Sequence, residues 1–361
     1  MKNIFITGGS GVLGSEVVSR ILKTDAKITL LGHDNNMSGV KKKSNKIKIF
    51  KGDITKDKLN LSESEYKEIC KNTTHIIHSA SITRFELPYQ KLKPVNVDGV
   101  RNIIKLASSC KNLEKMAHFS TVYVSGKRKG LILEKERAHN AGFVNAYEKT
   151  KYEAEGIIEK FQKKLPITTY RFSTVIGNGK SGKVNKFGAI HYSLRLLQLG
   201  MVPVIPGDPN NKIDIISTDD ATEAFYLSFL KKNSKNKVYH ICAGKKSPSL
   251  REFIGKTYSL FRKYGTQEGG KPSNPATFAD FKTYELFKKS VQESENPIFS
   301  KIIDTLSSFS YQLYCPKIFD QKDLLQDSPE SQKAISSLDV YYDKIIKYCI
   351  NSNWRLSHGK N

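Results

Sequence analysis

Tyr147 and Lys151 stand four positions apart in "NAYEKTKYEAE", residues 145 to 155, where a helix begins to read. One helical turn sets both on one face. In that geometry an ammonium lowers the pKa of a phenol, and the phenol can exchange a proton with a reacting oxygen. Spacing alone is poor support. With 17 tyrosines in a lysine-rich chain, about two Y-x-x-x-K matches are expected by chance. Four occur: Tyr89/Lys93, Tyr123/Lys127, Tyr147/Lys151 and Tyr284/Lys288. The chemistry also needs a hydroxyl at the end of a sheet strand. Tyr89 precedes Pro94 and lies between a strand and "VNVDGVRNII"; Tyr123 lies within a strand-end segment itself; Tyr284 lies beyond the part of the chain in which strands and helices alternate. Tyr147 alone follows a strand ending in hydroxyls, "HFSTVYVSG", and opens a long helix. Lys149 points away and Tyr152 has Gly156 at i+4, so both read as helix surface.

A second chemical signal lies at the N-terminus. In "FITGGSGVLGSEVV", Thr7 ends a strand and Gly8, Gly11 and Gly14 follow at three-residue spacing, with Val12 and Leu13 between the last two. Gly9, Gly11 and Gly14 also satisfy G-x-G-x-x-G. Glycines allow a tight turn and let a pyrophosphate approach a helix N-terminus, where free N–H groups favour anions. A strand before and a helix after supply the context that makes this a dinucleotide site. The choice between NAD and NADP falls at the end of the second strand, "KITLL". Gly32 takes the position expected of an acid and His33, a potential cation, comes next; the reading is NADP, with Asp34 keeping NAD open. A P-loop look-alike, "GNGKSGKV" at 177 to 184, ends in Val184 where a Ser/Thr hydroxyl would be needed for magnesium, so it reads as a flexible loop.

Elements that can position these groups alternate regularly. Apolar runs "NIFIT", "KITLL", "KIKIF", "HIIHSA", "MAHFS" and "ITTYRF" are separated by helix-period segments up to about residue 176. Fully apolar strands alternating with helices predict an α/β fold, a doubly wound Rossmann-type parallel sheet covered on both faces. "IDIIS", a capped helix at "TDDATEAFYLSFL" and a last strand in "KVYHICAG" return residues 213–245 to that sheet. Residues 177–212 and 246–361 then form a smaller, mostly helical substrate-binding region, with "QEGGKPSNP" at 267 to 275 a linker or exposed loop. No internal repeat is visible.

The 361 residues carry a net charge of +24, which suits an acidic partner. The excess comes from 49 Lys against 10 Arg spread along the whole chain, the pattern of a general lysine bias, and no aromatic-interleaved basic stripe or Cys/His finger supports nucleic-acid binding. Five scattered cysteines without a C-x-x-C imply neither a disulfide framework nor a zinc site, so no metal is expected and a reducing cytoplasm fits. No uncharged stretch approaches the ~20 residues of a spanning helix. The best candidate for membrane-surface contact, "FGAIHYSLRLLQLGMVPVIP" at 187 to 206, reads better as part of the substrate region.

With these motifs in hand, the chain resembles the extended short-chain dehydrogenase/reductase family across residues 1 to about 245. The resemblance rests on "TGGSGVLG", "GDIT" at 52 to 55, "HSAS" at 78 to 81, "VNVDGVRNI" at 95 to 103, "FSTVYVSG" at 119 to 126, Tyr147/Lys151, "YRFSTVIG" at 170 to 177 and "STDDATEAF" at 217 to 225. It implies that Thr121 is the catalytic hydroxyl, with Ser120 the runner-up. It also implies that Asp53 and Ile54 border the adenine, that Ser79, Ala80 and Ser81 line the cofactor cleft, that Asn96 contacts or braces the cofactor, and that Lys151 binds the nicotinamide ribose. Within the family, "ASITRFELPYQKLKPVNVDGVRNIIKLA" and the tail "CPKIFDQKDL…YYDKIIKYCINSNW" are similar to the fatty acyl-CoA reductase and thioester-reductase branch, with Val100 in place of a usual Thr. The branch implies NADPH-dependent reduction of an acyl thioester, on CoA or an acidic acyl-carrier protein, to aldehyde or alcohol. A nucleotide-sugar epimerase or dehydratase, and a ketone or alcohol dehydrogenase, are the rival readings inside the family; a non-enzymatic cofactor sensor would not need the Thr/Tyr/Lys set.

Overall fold

Seven of the apolar runs pair side by side as a parallel sheet in a computed structural model that describes residues 2–33, 44–265, 276–294 and 297–355. The strands are β1 (Asn3–Thr7), β2 (Lys27–Gly32), β3 (Ile47–Lys51), β4 (His75–His78), β5 (Lys115–Thr121), β6 (Ile167–Phe172) and β7 (Val238–Ile241). Their order is β7-β6-β5-β4-β1-β2-β3, all parallel. The order reverses between β1 and β4, and such a switch point opens a crevice at the carboxyl ends of the strands. Asp34 and the 267–275 linker fall outside the described residues.

Both sheet faces are covered, which is why the central strands are apolar throughout rather than alternating. On one face Ile4, Ile6, Ala117, Phe119 and Tyr170 pack against α1 (Val12–Ile21) and α6 (Thr218–Leu230). On the other, Phe5, Ile76 and Met116 pack against α3 (Gly99–Ser109) and α4 (Ala146–Phe161), with Ile69 of α2 (Glu63–Asn72) at the margin. Local chemistry starts these helices where the sequence suggests. Ser62 and Glu65 form a reciprocal capping box on α2, and Ser217 accepts the Asp220 N–H at 3.1 Å to open α6.

A third apolar core forms from α5 (Ala189–Gln198), α7 (Leu250–Tyr264) and α10 (Leu338–Asn351). Two further helices, α8 (Phe281–Glu293) and α9 (Pro297–Ser310), lie between α7 and α10 in sequence. The tail is tied back firmly: Trp354 donates from its indole to Gln198 at 2.6 Å, and the Tyr342 and Thr257 hydroxyls meet at 2.7 Å. The 187 to 206 stretch belongs here, with Leu194 and Leu197 of α5 buried. Among the described residues, no helix is long and apolar enough to cross a membrane.

The C-terminal part is mostly helical, as expected, and adds two short strands: Lys317–Phe319 pairs with Gly130–Ile132, and Thr277–Ala279 with Val204–Pro206, both in parallel. Three-residue runs carry too little period to announce themselves. The 177 to 184 loop is pinned rather than flexible. Gly179 donates to the Asp219 carboxylate at 2.6 Å, Gly182 donates to the Asn178 carbonyl at 2.7 Å, and Val184 is buried against α10. A Cβ on Gly182 would lie 2.4 Å from the Lys344 carbonyl oxygen, so the glycine serves close packing, not phosphate.

Candidate active site

The glycine turn follows β1 directly. Gly8 takes φ +74°, and the Gly11 N–H donates to its carbonyl at 2.9 Å. A Cβ on Gly8 would come within 2.5 Å of the Ala80 nitrogen, and one on Gly14 within 2.0 Å of the Gly8 oxygen. No side chain caps the α1 N-terminus, so its first N–H groups and dipole remain directed at the turn. An uncapped helix start behind backbone that only glycine fits suits a dinucleotide pyrophosphate. Gly14→Ala is expected to weaken NAD(P)H binding about tenfold or more with helix content retained, read by fluorescence titration and circular dichroism; native affinity would remove the turn from the site.

Around the turn, the residues implied for cofactor contact divide into two groups. Ser79 donates to the Thr7 carbonyl at 2.8 Å, and Ser81 donates to Asn96 Oδ1 at 3.1 Å. Asn96 is buried; it also accepts the Ile82 N–H at 2.8 Å and donates to the Ile82 carbonyl at 3.0 Å and to Thr150 Oγ1 at 3.1 Å. Asn96 therefore braces the 81–82 loop against α4. Ala80 packs partly into the α3/α4 core, where Ile54 is buried and its carbonyl accepts from Asn102 at 2.8 Å. At the ends of β2 and β3, His33 stands exposed with Nε2 3.8 Å from the Asp53 carboxylate. Burial would raise the Asp53 pKa, but two hydrogen bonds from Thr55, at 2.8 Å each, and the nearby His33 hold it below its usual range. Val12 and Leu13 sit at the start of α1, Leu13 packed on the core beneath.

Thr121, Tyr147 and Lys151 converge at the carboxyl end of β5. Asn145 caps α4 by accepting the Glu148 N–H at 3.0 Å, so the helix begins at Ala146 and carries Tyr147 and Lys151 toward the strand end. Lys151 Nζ donates to the Phe119 carbonyl at 2.5 Å, and burial lowers its pKa to about 8 while Glu155 pulls it back up. The Tyr147 phenol lies beside the Thr121 hydroxyl, which accepts the Tyr123 N–H at 3.3 Å, and packs on Phe85, ring centroids 5.4 Å apart. One expectation is corrected here. Burial pushes the phenol well above the ordinary tyrosine range, outweighing Thr121, and Lys151 is turned to a carbonyl instead of depressing it. The runner-up Ser120 points into the opposite network, donating to Glu155 at 2.5 Å.

That network holds α4 to the sheet. Arg171 of β6, 1% exposed, reaches Glu155 from Nη2 at 2.7 Å and from Nε at 3.0 Å, and meets the Glu134 carbonyl at 3.1 Å. Sequence spacing did not reveal it, since the partners lie on separate elements. Tyr152, expected on the surface, packs against Phe143 and His139 with Arg137 over its ring at 4.5 Å. Lys149 does face outward, over the Tyr89 ring at 4.8 Å. The rival tyrosines are engaged elsewhere: Tyr89 donates to Glu153 at 2.7 Å, Tyr123 meets Thr174 at 3.0 Å, and Tyr284 is buried near α9. Surface cavities of ≈ 540 Å³ beside Phe281 and ≈ 810 Å³ beside Asn3 lie away from this cluster.

Comparison with known proteins bears on the family and the fold. Residues 31–225 match the NAD-binding family described as Male sterility protein. The chain is 26% identical over 278 residues to the Fatty acyl-CoA reductase wat of Drosophila melanogaster, covering 63% of this chain and 54% of the fly protein, so it spans about half the length of that relative. Its fold is similar to that of the terminal R domain from the myxalamid PKS-NRPS biosynthetic pathway, with TM-score 0.80 at 20% identity over 98% of this chain and 92% of that one. It is also similar to UDP-glucuronic acid 4-epimerase from Bacillus cereus in complex with NAD, with TM-score 0.69 at 17% identity over 98% of this chain and 100% of that one. Sheet order, glycine turn and family match lead to one conclusion: the chain belongs to the Male sterility protein family of extended short-chain dehydrogenase/reductases, an NAD(P)-binding oxidoreductase family.

Proposed function

We propose that this chain is a reductase of acyl thioesters, carried on CoA or an acyl-carrier protein, that uses NADPH. The observation that carries the reading is a buried Tyr147 phenol beside the Thr121 hydroxyl, at the same carboxyl edge of the sheet as the glycine turn. The named activity of the fly relative supports the thioester class, and the myxalamid R domain has a similar fold. When bound, the reduced nicotinamide supplies the hydride, and Gly8, Gly11 and Gly14 with the α1 N-terminus would hold its pyrophosphate. Tyr147 then donates a proton or hydrogen bond to the oxygen that gains charge, with the Thr121 hydroxyl as second donor. Lys151, whose pKa of about 8 leaves it mostly charged at neutral pH, would offer its ammonium to the nicotinamide ribose. Collapse of the hemithioacetal releases thiol and aldehyde, so thioester, reduced cofactor and one proton give aldehyde, thiol and oxidised cofactor.

His33 beside a glycine-ended β2 favours NADP, because a cation there suits a 2′-phosphate. Residues 177–212 and 246–361 are assigned to substrate binding and the protein to the cytoplasm; the net charge of +24 suits CoA phosphates or an acidic carrier. The deciding assay follows reduced-nicotinamide absorbance with NADPH and NADH, offering acyl-CoA, acyl-carrier protein and nucleotide sugars, with aldehyde trapped as product. Thioester-dependent oxidation of NADPH is expected. Turnover of a nucleotide sugar with no response to any thioester would turn the assignment to the epimerase class.

A further inference from the structure

Glu148 follows Tyr147 in α4, is 2% exposed, and receives a partner from far along the chain. Its Oε2 accepts the Val144 N–H at 2.9 Å, which helps start the helix, while Oε1 accepts from Gln312 Nε2 at 2.8 Å. The same Gln312 nitrogen donates to the Gly126 carbonyl at 3.2 Å. Gly126 ends the turn that Thr121 begins, and its φ of +55° and a Cβ position 2.0 Å from the Gly142 oxygen leave that turn no other residue. One side-chain amide thus joins the Thr121 turn to the Tyr147 helix.

The amide cannot turn over. Lys317 Nζ, 7% exposed, donates to Gln312 Oε1 and to the Gly126 carbonyl, the latter at 2.5 Å. An ammonium only donates, so Oε1 must face Lys317 and Nε2 must face the two acceptors. Lys317 is itself fixed by backbone: its strand pairs with Gly130–Ile132, and Gly130 donates to the Pro316 carbonyl at 2.7 Å. Lys127, over the Tyr311 ring at 4.8 Å, packs beside the same junction.

We infer that Gln312 and Lys317 are positioning residues, a clamp from the C-terminal segment that sets the Thr121 hydroxyl against the Tyr147 phenol. The inference rests on the assignment of Thr121 and Tyr147 to the reaction. A displacement of about 1 Å in a reacting group can cost on the order of a hundredfold in rate. Releasing one end of the clamp is expected to lower kcat about tenfold or more.

The test measures kcat, KM and NADPH affinity for Gln312→Ala, Lys317→Met and Lys317→Arg in the full chain, together with hydrogen exchange of residues 122–127 and 144–150. Gln312→Ala and Lys317→Met should lose kcat with KM and NADPH affinity within about twofold, and Lys317→Arg should recover most of the loss. Exchange should quicken in those two segments and stay native across β1 to β4. In the Tyr147→Phe background, Gln312→Ala should add no further loss, because the group it positions is gone. Native kcat in Gln312→Ala, or an equal loss with and without the Tyr147 phenol, would overturn the clamp. If the native chain is silent on every thioester, the functional reading fails, and unchanged exchange in both segments would then overturn the clamp independently.

Discussion

Tyr147→Phe is expected to cut kcat by about 10²- to 10⁴-fold while leaving NADPH affinity near native. The substitution removes one oxygen from a side chain already packed on Phe85, so neither core volume nor the α4 register changes. What disappears is the proton donor beside Thr121. A phenol that keeps its proton at neutral pH is in the form that the proposed reduction of a carbonyl requires. Thr121→Ala should cost less, because it removes the second donor and leaves the acid. Single-turnover rates with NADPH and an acyl thioester check both, and a Tyr147→Phe protein that turns over like the native one would remove the phenol from the mechanism.

Stability is expected to fall as pH drops below about 6. Burial lowers the pKa of His75 and His191 to about 4 and of His78 and His240 to about 3, and holds His118 well below its ordinary value. Each is neutral in the fold but takes a proton at about 6.5 once the chain unfolds. The stability they contribute is complete above 6.5 and lost as pH falls toward their folded values. Four carboxylates work the other way: burial raises Glu134 to about 8 and Glu148 to about 7 and also lifts Asp214 and Asp220, so the fold binds their protons first and gains stability as pH falls. The buried lysines, charged in both states below about pH 6, add no slope. The five histidines outnumber these four carboxylates, so the net effect of acidification is a loss of stability. Denaturant midpoints at pH 7.5, 6 and 5 check this, and a flat profile would contradict it. His118→Leu should flatten the slope by one proton, since neither ring nitrogen of His118 has a partner to lose.

Much of the frame was legible in the chain. Apolar runs with intervening helical periods became β1 to β7 in Rossmann order, because a strand buried on both faces must be apolar throughout. The glycine turn was readable for a similar reason: at Gly8 and Gly14 a Cβ has nowhere to go, so composition records geometry. Tyr147 stood out from three look-alikes by its place after a strand-end hydroxyl run, and the structure brings it to Thr121.

The rest was decided by contacts between distant elements. Whether Ser120 or Thr121 faces the phenol depends on the pleat of β5, which turns Ser120 to Glu155 and Arg171, and adjacent hydroxyls carry no mark of that choice. The raised pKa of Tyr147 follows from burial, whereas Tyr/Lys spacing alone predicted the opposite direction. The three-residue strand Lys317–Phe319 has no period of its own, yet pairing with Gly130–Ile132 carries Lys317 and Gln312 to the Thr121 turn, more than 160 positions away in sequence. Local sequence determined which elements form and which residues could react, because periodicity and steric exclusion act within a few residues. Only the tertiary structure decided which hydroxyl faces the phenol, how deeply the phenol is buried and which distant side chains join its helix to the Thr121 turn, because burial and long-range pairing exist only once the chain has closed on itself.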